Sequence, residues 1–288
     1  MKATLFTMLA WFGLMLGTTA TAEAQVDADD LGLYVSGTMH IESTRTNWPD
    51  PDALMAFFER ATVAGLTEGR EFGMRWSIGA DIGWLRNEPR AAEVIAVTQA
   101  MGVEWDIHAH QMADRPECYS KILLLGGVAN TVASGLNTSE IDALRRTLRA
   151  RDGTTWRARV LWGITLRSGH GVGADDQAYG VWQPASSAAW QDHDPRGSLI
   201  AVGGGDRTLD GAELFALALG TFGSDAPVTS ATINVSPSTL TVVGSADGID
   251  VIEEWAARMG AIPFVQWGTI SETAAAWVAA GGISSRLE

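Results

Sequence analysis

Residues 89–108, PRAAEVIAVTQAMGVEWDIH, contain the unit from which the fold is predicted. Residues 89–101 repeat apolar side chains at helical spacing, and Gly102 is a typical residue at a helix end. Residues 103–108 then form a short, largely apolar run with the character of a strand. Helices that alternate with apolar strands are typical of a parallel sheet covered by helices.

The same alternation extends in both directions along the chain. Strands are predicted at residues 33–42, 72–80, 103–108, 130–133, 159–165, 199–202, 231–235 and 262–267. Helices are predicted at residues 52–64, 89–101, 119–125, 138–151, 209–219, 247–259 and 272–280. Seven or eight such units predict an α/β fold, a single-domain TIM-like (β/α) barrel over residues 25–288. An open doubly wound sheet is the alternative, and the absence of G-x-G-x-x-G after the first strand favours the barrel.

The composition restricts the class of protein. The chain has 288 residues, of which 46% are hydrophobic and 19% charged, so it can bury a large core. The formal net charge is −14, and lysine occurs only at Lys2 and Lys121. A nucleic-acid partner is therefore not expected, because binding to phosphates needs clustered positive charge. Cys118 is the only cysteine, so the chain forms no internal disulfide.

The amino terminus has the layout of a secretory signal peptide over residues 1–24. Lys2 precedes an apolar run at residues 3–17, which is followed by small residues that suit a cleavage site. The apolar run is too short to cross a bilayer as a helix. We therefore expect a secreted or periplasmic protein that begins near Gln25, with no stable membrane insertion.

Two strand ends carry residues suited to bind a metal. Asp106, His108 and His110 are spaced by two, so an extended chain projects all three from one face. His40 and Glu42 end the first strand with the same spacing. Imidazole nitrogens and carboxylate oxygens suit a divalent ion, zinc first, and also nickel, cobalt or manganese. We predict metal ligation by His40, His108 and His110, with Glu42 or Asp106 as the general base; a polar network without metal is the alternative.

The longest interruption of the pattern, at residues 167–196, is predicted to be a functional loop. It contains His170, Trp182 and His193. Folded over the barrel mouth, the loop would bring His170 as a general acid, because an imidazole titrates near working pH. Trp182 and His193 are predicted to contact substrate.

Two further substrate contacts are predicted near the first strands. Trp48 follows the first strand, and aromatic faces stack on sugar rings as they do on other apolar surfaces. Asp81 follows the second strand and is a candidate base, ligand or substrate contact. An aspartate at this place is also an ordinary helix cap.

Three segments carry a resemblance to a known family. Residues 34–42 (YVSGTMHIE), residues 106–110 (DIHAH) and residues 262–269 (IPFVQWGT) resemble the polysaccharide deacetylase group of the barrel glycoside hydrolase and deacetylase superfamily. The resemblance implies a divalent-metal hydrolase that acts on acylated carbohydrates. It also implies that His108 and His110 occupy the place of metal-binding histidines.

Two other functions remain open from the sequence. A metal-independent glycosidase or lyase would use paired carboxylates, with Glu42 and either Asp81 or Asp106 as the candidates. A non-catalytic carbohydrate-binding barrel protein would use the tryptophans without chemistry. Metal content separates the hydrolase from the paired-carboxylate enzyme.

Overall fold

The structure is a computed structural model. It describes residues 32–43, 48–68, 72–162, 179–203, 226–235, 237, 240 and 248–286. The predicted signal peptide, His170 and the helix predicted at residues 209–219 lie outside these residues.

Each predicted strand overlaps an observed one, with ends shifted by a few residues. The strands are β1 (Gly32–Ile41), β2 (Arg75–Ala80), β3 (Glu104–His108), β4 (Val132–Ser134), β5 (Leu148–Arg149), β6 (Thr155–Trp156), β7 (Val160–Trp162), β8 (Val181–Trp182), β9 (Ile200–Val202), β10 (Val228–Val235) and β11 (Val265–Trp267). The described α-helices are α1 (Pro51–Ala61), α2 (Ile82–Asn87), α3 (Ala91–Ala100), α4 (Asp114–Leu124), α5 (Ile141–Leu144), α6 (Ile249–Gly260) and α7 (Ile270–Ala279). A 3₁₀ turn at Thr138–Glu140 precedes α5.

Nine of these strands form one curled, mostly parallel sheet. The strand order is β10-β1-β2-β3-β4-β7-β9-β8, with β11 also paired to β1. Every pairing in this sheet is parallel except that of β8 with β9. The carboxyl ends of β1, β2, β3 and β4 therefore meet at one edge of the sheet.

The prediction of a TIM-like barrel is wrong, because the curled sheet is a half-barrel and not clearly a closed (β/α)8 barrel. The last strand, β11, pairs only with Leu33–Val35 of β1. On the same side of β1, the remaining residues, Ser36–Ile41, pair with β2. At the other end of the sheet, β8 runs antiparallel, which ends the series of parallel strands. Among the described residues, β8 meets β10 through single hydrogen bonds, such as Gly180 N to Ser230 O at 3.4 Å, and not through a ladder.

The helix predicted at residues 138–151 is also wrong over its second half, residues 145–151. Asn137 caps the 3₁₀ turn by accepting from Ser139 N, and α5 ends at Leu144. The chain then forms the β5–β6 hairpin, in which Ala150 N donates to Thr154 O at 2.8 Å. Gly153 lies in this turn with φ of 93°, a conformation that glycine adopts without steric cost.

The concave side of the sheet is filled at its amino end by α7. The buried side chains of Ile270, Ala274 and Trp277 pack with valines of the short strands and with Trp162. The convex side packs against α1 to α6 around Trp76, Trp84 and Trp105, among other apolar residues. α7 therefore occupies the amino end of the concave face, and the polar cluster described below lies at the carboxyl end.

None of the helices that the structure describes is both long and apolar enough to cross a membrane.

Candidate metal centre

Three predicted site residues come together at the carboxyl edge of the sheet. His40 lies near the end of β1, Glu42 directly follows that strand, and His108 ends β3. Their side chains offer ligand atoms that all lie within 4.8 Å of one another. The three residues are 7%, 3% and 0% exposed, respectively. The metal ligands predicted at His40 and His108 are thus close enough together to bind one ion.

A glycine on β2 explains why the two imidazoles are so close. In the sheet register, Gly79 lies beside His40 of β1 on one side and Asp106 of β3 on the other. With no side chain at Gly79, the rings of His40 and His108 reach a centroid separation of 3.9 Å. The spacing of the cluster is therefore set by three neighbouring parallel strands.

Glu42 connects the cluster to His110. Its Oε1 lies 3.4 Å from Nε2 of His108 and 3.1 Å from Nε2 of His110. The side chain of His110 is 44% exposed, and its ring meets that of His108 edge-on at 5.0 Å. His110, a predicted ligand, therefore lies on the solvent side of the three buried residues.

Trp162 forms a wall of the cluster inside the sheet. Its ring meets His40 edge-on with centroids 4.8 Å apart. The indole Nε1 donates to Thr232 Oγ1 at 3.2 Å, which fixes the ring against β10. A buried indole beside the imidazoles lowers the local dielectric and strengthens charge interactions at the site.

Asp81 acts as a helix cap beside the cluster. Its Oδ1 accepts from Trp84 N at 2.8 Å at the start of α2. Its Oδ2 accepts from both the amide and the hydroxyl of Ser43, each at 2.7 Å. Because Ser43 follows Glu42, this cap also fixes the backbone that carries Glu42. The structure thus shows the capping role for the predicted substrate contact Asp81.

Asp106 lies below the cluster and pairs with a second acid, the partly buried Glu104. Asp106 is 1% exposed, and its Oδ1 accepts from Asn130 Nδ2 at 2.9 Å. Burial raises the pKa of Asp106 well above its ordinary value, and the negative charge of Glu104 raises this pKa further. Burial also raises the pKa of Glu104. Burial thus favours the protonated form of Asp106, and its role as a general base stays a prediction.

Glu104 connects β3 to the start of α7. Its Oε1 accepts from Ser77 Oγ at 3.0 Å and from Ser271 N at 3.1 Å. Its Oε2 accepts from Thr269 Oγ1 at 3.2 Å. The concave face thus carries a column of ionisable side chains on β3, with Glu104 beside α7 and His108 in the cluster.

Two predicted substrate contacts lie away from the cluster. Trp182 is fully buried, and its Nε1 donates to Trp190 O at 2.7 Å. The loop that follows β8 extends beyond the amino end of β9 and contains His193. The ring of His193 meets that of Trp277 on α7 edge-on, with centroids 6.1 Å apart. Nδ1 of His193 accepts from Gln183 N at 3.1 Å, and burial lowers the pKa of this histidine. Both residues therefore lie on the β8 side of the sheet, with His193 near its amino end.

Trp48 and His170 complete the set of predicted site residues. Trp48 is 38% exposed, and its Nε1 donates to Glu88 Oε2 at 2.8 Å beyond the end of α2. It lies on the carboxyl side of the sheet, as the cluster does. His170 lies outside the described residues, so its role as a general acid stays a prediction.

Three contributors to the site were not predicted: Gly79, Ser134 and Trp162. Ser134 Oγ lies 3.3 Å from Nδ1 of His108. A polar residue at the end of a short apolar strand was the available signal for Ser134. Gly79 carries no such signal, because its effect depends on which strands are neighbours.

No family model matches the chain, no curated protein matches it, and no solved structure matches it. No match identifies a polysaccharide deacetylase-like group, so that resemblance stays a prediction.

Proposed function

We propose that the protein is a divalent-metal hydrolase whose ion is held by His40, Glu42 and His108. The observation that carries this proposal is the convergence of three buried ligand atoms within 4.8 Å. Two imidazoles and one carboxylate form a ligand set of catalytic zinc sites, which keep a further position for water or substrate. Zinc bonds of about 2.1 Å place neighbouring ligand atoms about 3.4 Å apart. The 3.4 Å between His108 Nε2 and Glu42 Oε1 already fits that spacing.

The bound ion would lower the pKa of a water molecule toward neutrality and polarise a carbonyl oxygen. The chain supplies the surroundings. Trp162 excludes water from one side of His40, and Asp81 fixes the backbone next to Glu42 through Ser43.

His110 is the side chain that we place against the substrate. A carboxylate oxygen only accepts hydrogen bonds, so the contact with Glu42 puts a hydrogen on Nε2 of His110. Nδ1 of the neutral ring is then the nitrogen that accepts a proton from the attacking group. The exposed side chain gives substrate access to this nitrogen.

We propose an acylated carbohydrate as the substrate, attacked at its ester or amide carbonyl. The resemblance of the strand motifs to polysaccharide deacetylases supports this class, and so does the half-exposed Trp48 on the same side of the sheet. We favour the metal reaction over a pair of carboxylates. Asp106 is buried beside Glu104, which is partly exposed, and both oxygens of Asp81 accept hydrogen bonds from the chain.

The test is acetate release from acetylated oligosaccharides by the full chain before chelation, after chelation and after zinc is restored. We expect release that requires the ion. His110→Ala should lower the rate with zinc retained, and Glu42→Gln should lower both. Glu93→Gln is the control, because Glu93 is an exposed acid on α3 paired with Arg90. Release that continues after chelation would contradict the proposal.

A further inference from the structure

We infer that Gly79, Ser134 and Gly135 form a slot that fixes the imidazole of His108 and directs its Nε2 toward Glu42. These three residues are positioning residues. Their role in metal binding rests on the proposed function, which makes His108 a ligand, but the slot itself is a property of the chain without metal.

The two glycines form the sides of the slot. A Cβ atom at Gly79 would lie 2.5 Å from Cβ of His108 and 3.1 Å from Ser134 Oγ. A Cβ atom at Gly135 would lie 2.5 Å from Cε1 of His108 and 2.8 Å from Nδ1. The two separations of 2.5 Å are far below van der Waals contact, so a larger residue at either glycine must displace the side chain of His108. Gly135 also has φ of 62°, which favours glycine.

Ser134 sets the rotation of the ring within the slot. Its Oγ lies 3.3 Å from Nδ1 of His108, whereas Nε2 on the opposite side of the ring lies 3.4 Å from Glu42 Oε1. When the second nitrogen of a metal-binding histidine is held by a hydrogen bond, the tautomer and the direction of the ligating nitrogen are fixed. Ser134 thus holds one nitrogen and leaves the other directed at the cluster.

The backbone of the slot is held by a buried guanidinium. Arg115 on α4 is fully buried, and its Nη1 donates to Ser134 O at 2.8 Å. Its Nη2 donates to Glu140 Oε2 at 3.0 Å, which anchors the side chain. Ser134 and Gly135 therefore lie on a segment that is tied to the helix behind β3, and the position of Ser134 Oγ is set by packing as well as by the strand.

The experiment compares Gly79→Ala, Ser134→Ala and Ser134→Thr in the full chain. The matched control is Ser36→Ala, because Ser36 is also buried on the concave face but its Oγ contacts Thr273 Oγ1, at the α7 end of β1. The first readout is the ¹⁵N resonance of His108 Nδ1 in metal-free protein labelled at histidine. The second readout is the dissociation constant for zinc, together with the absorption spectrum of the cobalt-loaded protein.

We expect the Nδ1 resonance to move in Ser134→Ala and Gly79→Ala and to stay in place in Ser36→Ala. Zinc should bind about 10- to 100-fold more weakly to Ser134→Ala, the usual loss when the partner of a ligating histidine is removed. Ser134→Thr, which keeps the hydroxyl, should restore the resonance and the affinity. An unchanged resonance in Ser134→Ala would overturn the inference. If the wild-type chain binds no zinc, the proposed function fails, and the resonance alone decides on the slot.

Discussion

Asp106 shows how burial determines the role of a single residue. Burial raises the pKa of Asp106, and the charge of Glu104 raises it further, so the folded chain binds this proton more tightly than the unfolded chain does. Its stabilising contribution is complete below the unfolded pKa of about 3.9 and is lost as the pH rises through the raised pKa. Ionisation of Asp106 therefore destabilises the fold at higher pH.

We predict that Asp106→Asn reduces the loss of stability that the wild type shows as the pH rises. Asparagine keeps an oxygen that accepts from Asn130 and adds an amide hydrogen for Glu104, but it carries no charge. The free energy of unfolding of Asp106→Asn should fall less than that of the wild type as the pH is raised, as measured by urea unfolding at several pH values.

The control for that series is Asp152→Asn. Asp152 is exposed, and hydrogen bonds from Ser120 and Thr154 lower its pKa. Its contribution is therefore present above the unfolded pKa and is lost in acid, so this variant should alter only the acid side of the curve. If Asp106→Asn and the wild type have the same slope at higher pH, burial does not raise the pKa of Asp106.

The residues of the candidate metal site could be predicted only in part. Period-2 spacing was enough to put His40 with Glu42, and Asp106 with His108, on single faces of strands. The spacing does not tell how far along the strand axis each side chain lies from the carboxyl end of the sheet. Asp106 and His108 were therefore expected in one site, although in the structure Asp106 lies below the cluster that contains His108. His110 follows the end of β3, where strand periodicity no longer decides its direction.

At the scale of elements, the link between β3 and α7 is the decisive contact for the concave face. Glu104 accepts from Thr269, Ser271 and Ser77, and Thr269 also caps α7 by accepting from Glu272 N. Loss of this acceptor leaves buried donors without a partner, which is more costly than loss of an exposed ion pair.

We predict that Glu104→Ala destabilises the protein by about 3 kcal/mol, the cost of one or two buried unsatisfied donors with some loss of packing. Glu104→Gln keeps one acceptor oxygen and should lose less. Glu253→Ala on α6, which breaks an exposed ion pair with Arg60, should cost at most about 1 kcal/mol. Chemical unfolding measures all three, and equal losses in Glu104→Ala and Glu253→Ala would contradict the anchoring role.

Secondary structure was predictable where one apolar pattern was long and had clear ends. β1 and α3 were predicted within a few residues, because β1 is buried along nearly all of its length and α3 has its buried residues at helical spacing. The β5–β6 hairpin was missed because its two-residue strands are too short for a period-2 pattern, and the arginine-rich stretch has good helix propensity. β8 was missed for the same reason of length.

At the scale of the whole molecule, barrel closure could not be predicted from the count of strand and helix units. Closure of a barrel depends on which strands pair with each other. These pairings join residues far apart in the sequence, so a local pattern does not predict them. Here β10 pairs with Gly32–Met39 on one side of β1, whereas β11 and β2 share the other side. Two segments lie outside the described part of the chain. In sequence, residues 163–178 connect β7 to β8, and residues 204–225 connect β9 to β10.

Export of the whole chain is a separate prediction. The layout of residues 1–24 predicts cleavage after Ala22 or Ala24. Protein recovered from outside the cytoplasm should therefore start within a few residues of Glu23 or Gln25, as measured by N-terminal sequencing. Exported protein that keeps Met1 would refute the signal peptide.

The most direct test of the proposed metal centre is elemental analysis of the purified full chain after chelation and dialysis against zinc. Three buried ligand atoms within 4.8 Å predict about one zinc ion per chain. His108→Ala removes one of the three ligands and should lose most of this zinc, whereas Ser36→Ala should keep it. Wild-type protein without bound zinc, or His108→Ala with the full wild-type content, would contradict a centre built from His40, Glu42 and His108.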